Sequence, residues 1–415
     1  MLRSLVVIAS AASISAACPS DPSFVGTDAD ALVAGDSVSD SDGTADSVSG
    51  VDGSHLGPGL PCARDCLVQV TDQPVIAFDA VVDPDGRGVV ALLQSVDALH
   101  QRLALRRYDG HGGWSDEEVA ADLEDATRVA VGVDDQHALQ LVVRAAEPIA
   151  LETVWYHPEA GGGWAPRGVG IPGVGQQLLS DFHLWLACVD DDKAARFHVL
   201  HGADAPSGAW QTPIVLPHVG CVDGDGNVSI PAFGWSIDVL ERPVVARQGC
   251  PPDIGLAYQA WSEEDGWSVK DLGRFASGPG ATRRNVAMAL EGVDRAHVLH
   301  QDVDDGWAIL VDQAAGDPWT TATVDVASQA GGSLGELLAV AADTLGRLHL
   351  VYEKDKQLVY RYWKDGWSGP VTASVGVGDA SRMRLAIDNQ APEVVFEDAD
   401  GHLWWWSPAE APAPE

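Results

Sequence analysis

Between Glu336 and Val375, apolar and polar positions group into four short runs separated by three turn signals. The runs are 336–343, Leu348–Tyr352, Leu358–Trp363 and Val371–Val375. Between them stand Thr344-Leu345-Gly346-Arg347, the charged tip Glu353-Lys354-Asp355-Lys356, and Lys364-Asp365-Gly366-Trp367. Runs of this length with turns between them predict strands of an antiparallel meander, not helices. Asp followed by Gly is tight-turn chemistry, because Gly accepts positive φ and Asp hydrogen-bonds its own backbone.

The unit recurs. An acid closes the first run of each copy at Asp83, Asp134, Asp181, Glu241, Glu291, Asp343 and Asp388, with spacings of 51, 47, 60, 50, 52 and 45. A tryptophan closes the third turn at Trp114, Trp164, Trp210, Trp267, Trp319 and Trp367, each 24 to 31 residues after its acid. Two columns in phase, with four strands per period, predict an all-β chain folded as a seven-bladed β-propeller of four-stranded antiparallel blades. Six blades is the alternative, if copy three or four is degenerate. An aromatic at one turn of every copy is expected to wedge between neighbouring sheets.

The last copy lacks a fourth strand: its runs are Met383–Asn389, Pro392–Asp398 and His402–Ser407. Cys66–Thr71 is a surplus strand before copy one. This N-terminal segment is expected to complete the last blade, which removes a free sheet edge. In Trp404-Trp405-Trp406, strand alternation turns one ring opposite to the other two.

Composition adds limits. The net charge is −36, from 61 acidic against 25 basic residues. Such a surface has no counterion-release drive towards nucleic acid and no attraction to anionic lipid. Self-repulsion would keep the chain soluble, and a monomer is expected.

The start of the chain reads as an export signal. A basic head precedes a mainly apolar core of ten residues, Leu5–Ile14, too short to span a membrane, then Ser15-Ala16-Ala17 before Cys18. This resembles a bacterial lipoprotein signal, although Ser15 stands where such signals usually carry Leu, Val or Ile. The resemblance implies that Cys18 is lipidated and becomes the mature N-terminus, with ordinary secretion as the alternative. The domains are then a signal over 1–17, a lipidated acidic tether over 18–61, the propeller over 62–408 and a disordered tail over 409–415. The tether carries eight Asp and no Lys or Arg over Pro19–Pro61, a composition that cannot bury enough apolar area to fold. The whole resembles exported bacterial lipoproteins with repeat-built propellers, which implies an extracytoplasmic place held to the membrane by lipid alone.

Copy four contains an insertion, Pro217–Pro231, with Asp223-Gly224-Asp225-Gly226-Asn227. Asp223, Asp225 and Asn227 have the oxygen spacing of the start of a calcium loop. Val228 and Gly234 stand where an EF-hand needs Gly and Glu, so the readings left are a looser Ca2+ site or a plain turn. No other cofactor is implied. Of the cysteines, Cys221 and Cys250 fall on the same rim of the ring and are expected to pair. Cys62 and Cys66 are close enough to pair locally, and Cys188 reads as a buried thiol.

No catalytic motif stands out. There is no Gly-x-Ser-x-Gly elbow, no His-Glu-x-x-His and no phosphate loop, and catalytic residues are expected to be none. His297 and His349 start equivalent second strands and read as structural. The leading expectation is a non-catalytic binding module for a glycan or protein at the cell surface. The alternative is a glycoside hydrolase or lyase at the channel mouth, which requires two carboxylates with Arg or His around the pore. Repetition does not point to the ligand-contacting residues.

Overall fold

The computed structural model describes residues 66–97, 99–108, 113–146, 151–168, 174–180, 184–189, 194–200, 210–216, 221–222, 228–229, 233–248, 255–274, 286–291, 295–302, 307–313, 319–326, 334–343, 345–364, 366–378, 381–388 and 391–409. Over these residues the chain is all-β. Strand β1 (Cys66–Thr71) comes first. Copy one is β2 (Ala77–Val82), β3 (Gly88–Ser95), β4 (His100–Tyr108) and β5 (Trp114–Glu124). Copy two is β6 (Arg128–Val133), β7 (Leu139–Ala146), β8 (Leu151–Pro158) and β9 (Trp164–Gly168). Copy three is β10 (Val174–Ser180), β11 (Leu184–Val189), β12 (Ala195–Leu200) and β13 (Ile214–Leu216). The insertion carries a ribbon, β14 (Cys221–Val222) and β15 (Val228–Ser229). Copy four is β16 (Phe233–Ile237), β17 (Pro243–Gln248), β18 (Gly255–Ser262) and β19 (Gly266–Arg274). Copy five is β20 (Val286–Glu291), β21 (Arg295–Asp302), β22 (Trp307–Gln313) and β23 (Thr320–Val326). Copy six is β24 (Leu334–Ala342), β25 (Leu348–Lys354), β26 (Gln357–Trp363) and β27 (Val371–Gly376), and the last copy is β28 (Met383–Asp388), β29 (Ala391–Glu397) and β30 (Leu403–Ser407).

Each copy forms its own antiparallel sheet, giving seven four-stranded sheets and the ribbon among the described residues. This is a β-propeller. Six of the sheets have outer strands of five residues or more, whereas copy three ends on the three-residue β13. The degeneracy on which the six-blade alternative rests is therefore present at that outer edge.

Closure follows the sequence expectation. β1 pairs antiparallel with β30, placing Leu67 opposite Trp406 and Gln69 opposite Trp404. The joint between last and first blades has polar clamps as well. Arg382 donates to the carbonyls of Val75 and Ile76 and pairs with Glu397, and Arg384 pairs with Asp79 at 2.7 Å. Gly88 is required there, because a Cβ would lie 2.8 Å from the ring of Trp405.

The core lies between sheets. Phe78, Val90, Leu103, Trp185 and Trp405 belong to one buried apolar cluster, and Leu385, Phe396 and Trp406 to another. Trp405 thus faces opposite to Trp404 and Trp406, as strand alternation requires. Fully burying one such large side chain contributes roughly 1.5–3 kcal/mol.

The tryptophan column wedges between sheets. Trp114 packs on Trp405, Trp210 edge-on against Trp155, and Trp319 on Tyr258, each in the preceding blade. Trp267 donates its indole N–H to the Val215 carbonyl at 2.8 Å and lies against Phe197.

Candidate binding clefts between blades

One turn motif recurs at strand ends, in four copies on the face where first strands end and in the last copy on the opposite face. In five described turns an Asp carboxylate accepts from the backbone N–H groups two and four residues on, at 2.8–2.9 Å: Asp83, Asp134, Asp238, Asp343 and Asp398. A short carboxylate is needed, since it must bend back onto its own turn. Copy four corrects the acid column. Its turn acid is Asp238, not Glu241, which stands three residues further on at the positive-φ position of the same turn. The last copy also departs: Asp398 lies in the turn between second and third strands.

The second carboxylate oxygen reaches into the blade. Asp343 accepts from Arg347 at 2.6 Å and His349 at 3.1 Å, and His349 meets the Tyr360 hydroxyl at 2.9 Å. These bonds hold the Asp343 pKa down at about 2 against the opposing effect of its burial. In copy two the chain is Asp134, Gln140, Trp155, with bonds of 2.6 and 2.9 Å. His297 reaches Glu291 at 3.1 Å in the same way. The repeated histidines are strand-end hydrogen bonders. Asp398, Asp400 and His402 lie close enough to hold a cation, but the Asp398 oxygens already accept from Asp400, His402 and Trp404, as in the other turns.

Among the described residues, two clefts open between blades on the face where first strands end. The first, about 440 Å³, lies between copies one and two and is lined by Arg87, Arg107, Glu117, His137, Glu159 and Trp164. Glu117 ties its walls together, accepting from Trp164 at 2.8 Å and from Arg107 at 3.2 Å. The second, about 680 Å³, lies between copies three and four. Its aromatic walls are Trp185, Phe197 and Trp261, and its rim carries Glu241, Arg242 and Glu263. The clefts are equivalent in position, each formed by the first and third turns of the later blade against the outer strands of the earlier one.

Backbone conformation marks both. The residue three after the turn Asp has positive φ in all five turns: Gly86 (77°), His137 (67°), Glu241 (58°), Gly346 (71°) and Gly401 (82°). Glycine takes this conformation freely, whereas an L side chain pays roughly 1–2 kcal/mol for it. The two non-glycine cases, His137 and Glu241, are the two that line the clefts.

Most of the residues singled out from sequence are not among the described residues. Cys18, Cys62, Cys250, Asp223, Asp225 and Asn227 fall outside the described residues. Cys66 opens β1 and Cys221 opens β14. The cleft residues Arg107, Glu117, Trp185 and Trp261 carried no sequence signal, because their convergence depends on how neighbouring sheets pack. The signal that was available is the non-glycine residue at a glycine position of the turn.

The inner strands are mostly apolar, with Asp79, Arg128 and Arg384 among the charged exceptions near their starts. Asp79 accepts from Arg384 and from the Val131 N–H, and burial raises its pKa above the usual carboxylate range.

No family model and no curated protein matches this chain. Solved β-propellers do. AofleA from Arthrobotrys oligospora is 16% identical, with 76% of this chain and 90% of that chain covered at a TM-score of 0.42. The propeller domain of the Trilobed protease from Pyrococcus furiosus is 8% identical, with 81% and 98% covered at 0.47. The periplasmic gluconolactonase PpgL of Pseudomonas aeruginosa is 12% identical, with 78% and 98% covered at 0.45. At these identities and scores the likeness assigns no function.

Proposed function

We propose that this chain is an exported, lipid-anchored propeller that binds glycans at the cell surface through clefts between its blades. The observation that carries the reading is the coincidence of strained non-glycine turn residues, His137 and Glu241, with the two clefts. Strained backbone of this kind concentrates at binding sites. The chemistry fits a sugar: aromatic faces such as Trp261 for its C–H surface, and charged groups such as Arg87, Glu159 and Glu263 for its hydroxyls. A protein ligand is the alternative occupant. Among the described residues, the acids Asp79 and Glu397 at this end of the ring are buried and each is held by an arginine, which weighs against the hydrolase or lyase reading.

Glycan arrays and titration calorimetry on the purified chain test the reading. Arg87→Ala and Trp261→Ala, both changes at accessible positions, should each weaken binding about tenfold. Blank arrays together with blank pull-downs would sink it.

The anchor and the cysteine pairs belong to the same proposal. Cys18→Ala should release the protein from the membrane fraction. The same proposal pairs Cys62 with Cys66 locally and Cys221 with Cys250 across the rim. Calcium titration of the Asp223–Asn227 loop decides between a cation site and a plain turn, and sedimentation checks the expected monomer.

A further inference from the structure

The first two strands of copy two set Arg128 directly opposite Arg144. Like charges facing each other across an antiparallel pair are destabilising. Arg144 is nevertheless only 6% exposed and Arg128 half-buried. Among the described residues neither guanidinium has a hydrogen bond or an ion pair. Burial, and then the charges of Arg384, Arg382 and Arg144, all lower the pKa of Arg128, with no carboxylate offsetting them. Two acids at this end of the blades are engaged: Asp79 with Arg384 and the Val131 N–H, Glu397 with Arg382. On a chain with 61 acidic residues, an unneutralised pair of inward arginines is unexpected unless a ligand supplies the negative charge.

The position is also particular. Arg128 opens β6, Arg384 is second in β28, and Asp79 is third in β2. These are inner strands of three successive blades, so the group stands where the central channel begins, on the face opposite the clefts. We propose that Arg128 and Arg144 form an oxyanion site at this mouth, which takes the carboxylate or phosphate group of a small ligand. The guanidinium fork suits either, because each offers two oxygens to paired N–H donors. Arg382 and Arg384, already held by their acids, add positive field without competing for the ligand.

The test is titration of the full chain with inorganic phosphate and with glucuronate against chloride at matched ionic strength, read by calorimetry and thermal midpoint. Saturable binding is expected for at least one oxyanion and not for chloride. Arg144→Gln and Arg128→Gln should each weaken it at least tenfold and raise the midpoint in oxyanion-free buffer, by removing the opposed charge. Binding of phosphate alone assigns a phosphate ester, and of glucuronate alone a carboxylate. If chloride stabilises equally, or if both variants bind as wild type, the site is refuted. Should Arg144→Gln fail to fold, Arg128→Gln decides the matter by itself.

Discussion

Copies two and six carry the same turn and use it differently. In copy six the turn is packed shut against its neighbour. A Cβ on Gly346 would lie 2.5 Å from the Glu291 carboxylate of the preceding blade, so a side chain there would have to displace it. In copy two the same position holds His137, with its side chain over the first cleft. The inward halves differ as well: Asp343 works through His349 to Tyr360, and Asp134 through Gln140 to Trp155. Both aromatics sit on third strands at matching register, next to Val351 and Val142. The lesson is that one repeat serves as a latch where blades touch and as a wall where they part. The neighbour, not the repeat itself, decides which.

The largest expected effect breaks the closed copy. Asp343→Ala removes the acceptor of two backbone N–H groups, Arg347 and His349, and leaves buried donors unsatisfied. Urea unfolding should show a loss of about 3–4 kcal/mol. Asp238→Ala should cost less, about 2 kcal/mol, because Val244 stands where His349 would be and the network stops at Arg242. Equal losses would mean that the inward half of the latch contributes nothing.

Copy three supplies a contrasting histidine. His198 is buried on β12 with no acid behind it, and its Nε2 has no partner among the described residues. Burial lowers its pKa to about 4, partly offset by the Gln211 backbone. Above pH 6.5 both folded and unfolded forms are neutral, and stability is complete. Between 6.5 and 4 the unfolded chain gains a proton that the folded chain refuses, so stability falls as pH falls, by on the order of 3 kcal/mol. His198→Gln should flatten that part of the profile and leave the Asp343 contribution, which is lost only as pH falls from about 4 towards 2. An unchanged slope in His198→Gln would show that the ring is protonated in the fold.

Much of this was legible in the residues. The strands follow from alternation and the turns from Asp and Gly, and the last blade was visibly short by the strand that Cys66–Thr71 provides. Once Asp134 centres the β6–β7 turn, register alone sets Arg128 against Arg144. What stayed hidden was contact between blades. Asp238 and Glu241 are both acids at a plausible strand end, and only the bend of the turn separates them. Whether Gly346 faces a carboxylate or open space depends on the packing of blade five, for which the sequence of copy six has no code.

A smaller effect sharpens the closed side. Gly346→Ala combines a positive φ of 71° with the approach to Glu291, and should cost about 2 kcal/mol. Part of the clash is relieved because a carboxylate can swing aside, which keeps the loss below that of Asp343→Ala. A neutral Gly346→Ala would remove the steric reason for the difference between the two copies.

The smallest effect tests the open side and has the opposite sign. His137 holds a φ of 67° that an L side chain adopts at a cost, and no neighbour fills the space over it. His137→Gly should therefore stabilise the fold by about 0.5–1 kcal/mol, the relief of left-handed strain less the entropy of a more flexible unfolded chain. The same change should weaken ligand binding to the first cleft while sparing the second, where Glu241 is untouched. Gain of stability with loss of binding is what a residue kept for function predicts. If His137→Gly leaves both unchanged, the strain at 137 and 241 is incidental, and the clefts lose the observation that distinguishes them from the gaps between any two blades.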